Sequence, residues 1–296
     1  MPATPPTVTT APLVPATQPT RQEAPPKSNE LVWRPEWGRA HPVEYGVAVT
    51  FGAGALIANA LPVRGATWGG NDFDDGIRDI VRIDDKDGRK TTRTVGDVLF
   101  YGLMAYPVVV DTILVAGPQS SDVAWQMLVM NAQSLALSGF TSVTLEHTTG
   151  RERPYARECR EGGDPSYADD CKSDDRERDQ SFPSGHTLMA FTGAGLMCAH
   201  HTRLPLYGSK LADGAACALG MTGATVQAAT RLTADRHYFT DVMVGSVLGF
   251  ASGYVLPTVL HYGRDPGSKG AKDTTSAMVV PVATGDHVGL AALGSF

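Results

Sequence analysis

The sequence predicts an all-α fold, a six-helix bundle embedded in a membrane. From Pro42 onward, apolar segments of helix length alternate with charged loops. The segments are rich in Gly, Ala, Ser and Thr, which let helices approach one another closely. The side chains suited to phosphate chemistry fall at segment ends that an antiparallel bundle gathers on one side.

A chain of 296 residues with 42% hydrophobic content is long enough for one domain with a substantial core. Its net charge is -6 and no basic stripe is interleaved with aromatics, which argues against nucleic acid as a partner. Met1 to Glu30 is rich in Pro, Thr and Ala and buries too little apolar surface to offset chain entropy. Residues 1–41 are therefore expected to form a disordered leader, 42–263 the helical domain and 264–296 a polar tail. The opening lacks a charged start, an apolar run and a small-residue cleavage site, so no signal peptide is expected in it.

Tyr45–Val63 has no charged residue, and Val98–Val110 is apolar and continues past Asp111 to Ala116. Val123–Leu145 is charge-free and matches the ~20 residues that cross a bilayer core. Gly185–His201, Gly214–Thr230 and Val242–Leu260 complete the six. Small residues weaken the hydropathy signal, so composition by itself also suits buried helices of a soluble protein. The charge-free lengths of the first, third and last segments decide for the membrane.

Two loops carry most of the charge. Within Arg64–Asp97, the run Asp84-Asp85-Lys86-Asp87-Gly88 resembles part of a calcium loop, but alignment on Gly88 puts Ile83 and Thr94 at its ends, so calcium is rejected. Phe73, Ile77, Ile80 and Val81 have helical spacing and predict a short helix on the domain surface. The second loop, Glu146–Phe182, holds Cys159 and Cys171, which are expected to pair if the loop faces an oxidising compartment. Cys198 and Cys217 lie in apolar segments and are expected to be buried free thiols. His200 and His201 close an apolar segment, match no zinc spacing and are expected to be structural. In the tail, Ala277–Ala283 and Leu290–Leu293 suit two short strands without assigned chemistry.

Helix parity organises the chemistry. Arg153 follows the third segment, His186 opens the fourth, Arg231 ends the fifth, and His237 and Asp241 open the sixth. Ser184 is placed as a helix N-cap, so the backbone amides behind it, with Gly185 allowing close approach, favour a bound phosphate. Arg153 and Arg231 suit bidentate contact with phosphate oxygens. His237 and Asp241 share a helix face at i, i+4, so Asp241 can accept from one ring nitrogen and leave the other as nucleophile. His186 is placed to protonate a leaving oxygen. Each residue alone also has an ordinary structural reading, as a cap, an ion-pair partner or a surface side chain.

Together these residues resemble the type 2 phosphatidic acid phosphatase and vanadium haloperoxidase superfamily, whose signature is K-x6-R-P, P-S-G-H and S-R-x5-H-x3-D. The second motif is complete at Pro183–His186, and the third runs from Thr230-Arg231 to His237 and Asp241, with threonine for serine. The resemblance covers roughly Pro42 to Tyr262. It implies an acid phosphatase/haloperoxidase-like core and a phosphohistidine on His237, with Asp241 as orienter and His186 as acid. It also implies phosphate contacts from Arg153, Ser184, Gly185 and Arg231, with no metal or other cofactor. The implied function is hydrolysis of lipid phosphate monoesters or diphosphates by a multi-pass protein of a bacterial-type inner membrane, its site facing the periplasm. Lys and Arg are more numerous in the site-bearing loops, against the positive-inside rule, although several of them are site residues. No oligomeric state follows from the sequence.

One departure stands out: seven positions before Arg153 the family's lysine is replaced by Glu146. A carboxylate there repels a phosphate dianion unless it turns away or pairs with a base, for which Arg151 is the nearest candidate. A soluble periplasmic acid phosphatase, a vanadate-dependent haloperoxidase and an inert lipid-phosphate binder are the alternative functions.

Overall fold

The computed structural model describes residues 31–263 apart from 163, 173 and 174, together with the backbone of 276–284 and 287–295. The leader Met1–Glu30 lies outside the described residues. The helices are α1 Pro42–Ala60, α2 Asp72–Val81, α3 Lys86–Gln119, α4 Ser121–Thr149, α5 Pro154–Glu161, α6 Gly185–His201, α7 Lys210–Thr233 and α8 Phe239–Tyr262. Six of them are long rods at the expected segments, and α2 and α5 are additional, so six is not the full number. Both α3 and α8 pass through π-turns, at Tyr106–Ala116 in α3 and at Ala251–Val255 and Thr258–Tyr262 in α8. After α8, β1 Ser276–Thr284 and β2 His287–Ser295 form an antiparallel pair, with Ser276 opposite Ser295.

Local sequence sets the helix ends. Asn71 caps α2 by accepting from the amides of Phe73 and Asp74, and Asp72, Asp74 and Asp75 in its first turn complement the helix dipole. Ser120 and Ser209 cap α4 and α7 in the same way. Gly150 ends α4 in the left-handed region, at φ 59°, a conformation that glycine adopts without strain. The folded unit starts before Pro42: Leu31, Trp33 and Trp37 are buried in one cluster with Tyr262, so the expected leader boundary is too late. Three large apolar side chains in eleven residues outweigh the prolines around them.

The central helix is α6, buried along nearly its whole length from Thr187 to His201. It meets α8 backbone to backbone: a Cβ added to Gly245, Gly249 or Gly253 would collide with the carbonyl oxygens of Ser184, Leu188 and Thr192 respectively. This i, i+4 glycine stripe is how a helix with few large side chains still packs densely. On its other side α6 is bonded to α7 through Cys198–Cys217, with Cα atoms 4.4 Å apart. That bond corrects the expectation of free thiols, since only the close α6–α7 packing brings these two apolar-segment cysteines into reach. The Cys159–Cys171 pair is also bonded.

The rods long and apolar enough to cross a membrane are α1, α3 and α8. The third segment, α4, is not among them: it buries Gln126, Asn131, Gln133, Ser134, Ser138 and Ser142, polar side chains that serve contacts inside the bundle. Ser138 bonds Thr192 of α6 at 2.8 Å, and Asn131 donates to the Pro107 carbonyl at 3.0 Å. By contrast, α1 exposes Val49, Leu56 and Ile57, α3 exposes Val98, Tyr101 and Leu114, and α8 exposes Val247 and Val259. Exposed apolar surface on this scale needs a membrane or a partner. His200 is held between Tyr262 and Asn131, and His201 between Asp213 and Asp111, so both are spent within the bundle.

The glycine stripe makes a testable claim. Gly249→Leu is expected to cost about 1–3 kcal/mol by overpacking against Leu188 and Phe191. Gly52→Leu on α1, where no atom lies within 4 Å of the added Cβ, is expected not to lower the thermal unfolding midpoint in detergent. Equal midpoints for the two variants would contradict the packing account.

Candidate active site

The expected residues converge at one end of the bundle. Glu146 comes from the last turn of α4, Arg153 from the start of α5, Ser184, Gly185 and His186 from the start of α6, Arg231 from the end of α7, and His237 and Asp241 from the start of α8. They lie outside the membrane-length rods except Asp241, which sits in the first turn of α8.

His237 is buried, and its Nδ1 lies 2.8 Å from the Ser181 carbonyl. A carbonyl only accepts, so Nδ1 carries the proton and Nε2 keeps its lone pair. Burial, and after it Arg153, hold the imidazole well below its ordinary pKa, so the ring is neutral. Asp241 is 3.8 Å from Nδ1, too far for the hydrogen bond that the i, i+4 spacing suggests. It instead accepts from the Ser181 hydroxyl at 2.7 Å and the Tyr238 amide at 2.8 Å. Asp241 therefore orients His237 indirectly, by fixing the residue whose carbonyl holds the ring.

Arg151 completes that arrangement. Its guanidinium is fully buried between the rings of Trp68 and Tyr238, 4.4 and 4.5 Å from their centroids. It donates to Asp241, to Thr240 at 2.8 Å and to Asp74 of α2 at 2.6 Å. Every direction of its fork is used, so Arg151 cannot supply the charge of the missing lysine, and it does not pair with Glu146.

The second arginine of the same loop behaves differently. Among the described residues Arg153 makes no ion pair: its Nη1 lies 3.5 Å from the Arg236 carbonyl and 3.4 Å from His237 Nε2, and its Nε has no partner. Burial, with Arg236 beside it, pushes its pKa down to about 10. Arg231 pairs with Asp97 of α3 at 2.6 Å. The same Asp97 oxygen is 3.4 Å from His186 Nε2, and the His186 ring packs on Phe100. Burial and the nearby Arg231 hold His186 below its ordinary pKa, while Asp97 opposes them. Ser184 takes the N-cap position, but its hydroxyl pairs with Thr187 at 2.9 Å and does not cap the backbone. The open amide of Gly185 donates to Glu146 Oε1 at 3.2 Å instead.

Several site residues escape sequence reasoning. Ser181 acts through a backbone carbonyl, which no motif can show. Asp97 has only its position as the last charge before an apolar run to mark it. Asp74 and Arg151 are separated by 77 positions and met only on folding.

A family model described as the PAP2 superfamily matches residues 128–265, from the first third of α4 to just beyond α8. No solved structure matches the chain.

Two arginines two residues apart should fail in opposite ways. Arg151→Ala leaves Asp74 and Asp241 buried without their counter-charge and is expected to cost about 3–5 kcal/mol, read as unfolding or a large fall in denaturation midpoint. Arg153→Ala removes a half-buried cation with no ion pair among the described residues and is expected to leave the midpoint unchanged or higher.

Proposed function

With residues 128–265 belonging to the PAP2 superfamily, we propose that the protein is a membrane phosphatase that cleaves phosphate monoesters or diphosphates of lipids through a phosphohistidine on His237. One observation carries this reading: a neutral histidine presents its Nε2 lone pair beside Arg153, a half-buried guanidinium without an ion-pair partner among the described residues. A nucleophile next to an unsatisfied cation suits an incoming phosphoryl group.

In this reading the phosphate takes its charge balance from Arg153 and from Arg231, which exchanges Asp97 for a phosphate oxygen. His237 Nε2 attacks phosphorus as the bond to the leaving oxygen breaks, and the proton that oxygen needs comes from His186. The bound phosphate offsets the arginines that depress His186, so the imidazole gains its proton as substrate arrives. Water then attacks the phosphohistidine, giving up its proton to His186 and restoring both histidines. Arg151, Asp241 and Ser181 hold the nucleophile without touching the substrate.

The lipid assignment draws on the rod that supplies Asp97. One turn further along α3, Phe100 packs on His186, and the neighbouring Val98 and Tyr101 are exposed. An acyl or isoprenyl tail lying on that surface leads to the phosphate position. The Cys159–Cys171 bond lies in the loop between α4 and α6 and favours an oxidising, periplasm-like compartment on the site's side. The Cys198–Cys217 bond lies toward the far end of α6 and favours a second reading, a protein held wholly within such a compartment. Extraction separates the two: release by buffer without detergent fits the second, and retention until detergent is added fits the first.

Phosphate release from phosphatidic acid and from isoprenyl diphosphate tests the chemistry. His237→Ala is expected to lower turnover on the order of a thousandfold or more. Equal, slow release by the native chain and the variant on every lipid phosphate tried would rule the phosphatase out.

A further inference from the structure

Glu146 runs against the logic of an anion site, and it has not turned away. Its Oε1 accepts from the Gly185 amide at 3.2 Å and from Ser142 Oγ at 3.4 Å. That amide opens α6 and is the backbone donor that a phosphate oxygen would use. The approach is close enough that a Cβ on Gly185 would collide with the same carboxylate oxygen. Carboxylate and phosphate thus compete for one donor and carry the same sign of charge.

We infer that this site admits a phosphate group only with a proton taken up by Glu146, separate from the one that His186 gains, changing Glu146 from a competing anion into a neutral donor to the phosphate. The inference rests on the phosphate-site reading above and narrows its ligand to a phosphate monoanion or the equivalent dianion plus a proton.

The surroundings support the exchange. Burial pushes the Glu146 pKa up to about 7, opposed by Arg153 and the Gly185 amide and assisted by Asp241 of α8. The Arg64 guanidinium reaches this end of α4 at the Thr148 carbonyl and its backbone amide at the His147 carbonyl, and the His147 ring is engaged by the Val143 carbonyl and Gln180. On α1, which packs along α4, Glu44 sits at the opposite end and pairs with His261. Among the described residues Arg153 is the cation that acts most strongly on Glu146, and it is the group that the phosphate itself would engage. The sign follows: below about pH 7 Glu146 is already protonated and anion binding needs no further proton. Above it, each bound anion draws one proton onto Glu146, and this linkage alone lowers affinity about tenfold per pH unit.

The test is calorimetric titration of the full chain in detergent with sodium sulfate, which stays doubly charged, at about pH 6 and about pH 8 in buffers of different ionisation enthalpy. The native chain is expected to take up about one proton more per sulfate at the higher pH than Glu146→Gln, and to bind at least tenfold more weakly there. Glutamine keeps an acceptor for the Gly185 amide without the charge, and Glu146→Lys, of opposite charge, is expected to bind tightly with no Glu146-linked uptake. Identical proton uptake and pH slope in the native chain and Glu146→Gln overturn this inference and leave the phosphate site standing. Failure of sulfate to bind the native chain and both variants at the lower pH overturns both.

Discussion

The fully buried guanidinium of Arg151 is the constraint on which the rest of the site depends. It ties Asp74 of the short surface helix to Asp241 at the start of α8, with Trp68 and Tyr238 closing over its faces. Such a charge is tolerable in the interior because each of its three nitrogens has an acceptor and two anions balance it. Asp241, so held, fixes the Ser181 hydroxyl, and the Ser181 carbonyl sets the tautomer of His237. The tautomer of His237 is therefore set through a chain of three residues that ends in a buried ion pair.

Around that core lie cations and backbone donors that internal carboxylates already engage. Asp97 rests on Arg231 and near His186, Glu177 on Arg236, and Glu146 on the Gly185 amide. Arg153 alone among these arginines has no carboxylate partner within the described residues. An anion arriving there meets one open cation and a set of internal anions that must yield or become neutral. The contrast between Arg151 and Arg153, two positions apart, is one of partners: the first is buried between two carboxylates, the second is half-buried with none among the described residues.

The bundle that carries the site reaches dense packing through small residues. Glycines on α8 let its backbone rest on α6, and polar side chains on α4 bond across the interior. Large apolar side chains then point outward from α1, α3 and α8, the inverse of a protein whose hydrophobic surface is turned inside. That distribution gives the site a polar end, where the loops and one disulfide lie, and an apolar flank along α3.

Much of this was legible in the order of residues. Segment lengths established the six long rods, and parity assigned Arg153, His186, Arg231, His237 and Asp241 to one end, because a helix must carry its ends to opposite sides of a bundle. The short helix over Phe73 to Val81 followed from its spacing, and the loop disulfide from two cysteines in one polar segment. Other features depended on contacts that have no signature along the chain. Cys198 and Cys217 became partners only because two glycine- and alanine-rich helices pack closely, and Trp33 and Trp37 joined the core only by meeting Tyr262. The sequence by itself determined which chemical groups the site contains and at which end they gather, since those follow from residue type and helix period. Tertiary structure alone decided which arginine is a fastener, which carbonyl orients the histidine and where Glu146 points, because partners distant in sequence determine how a buried charge is balanced.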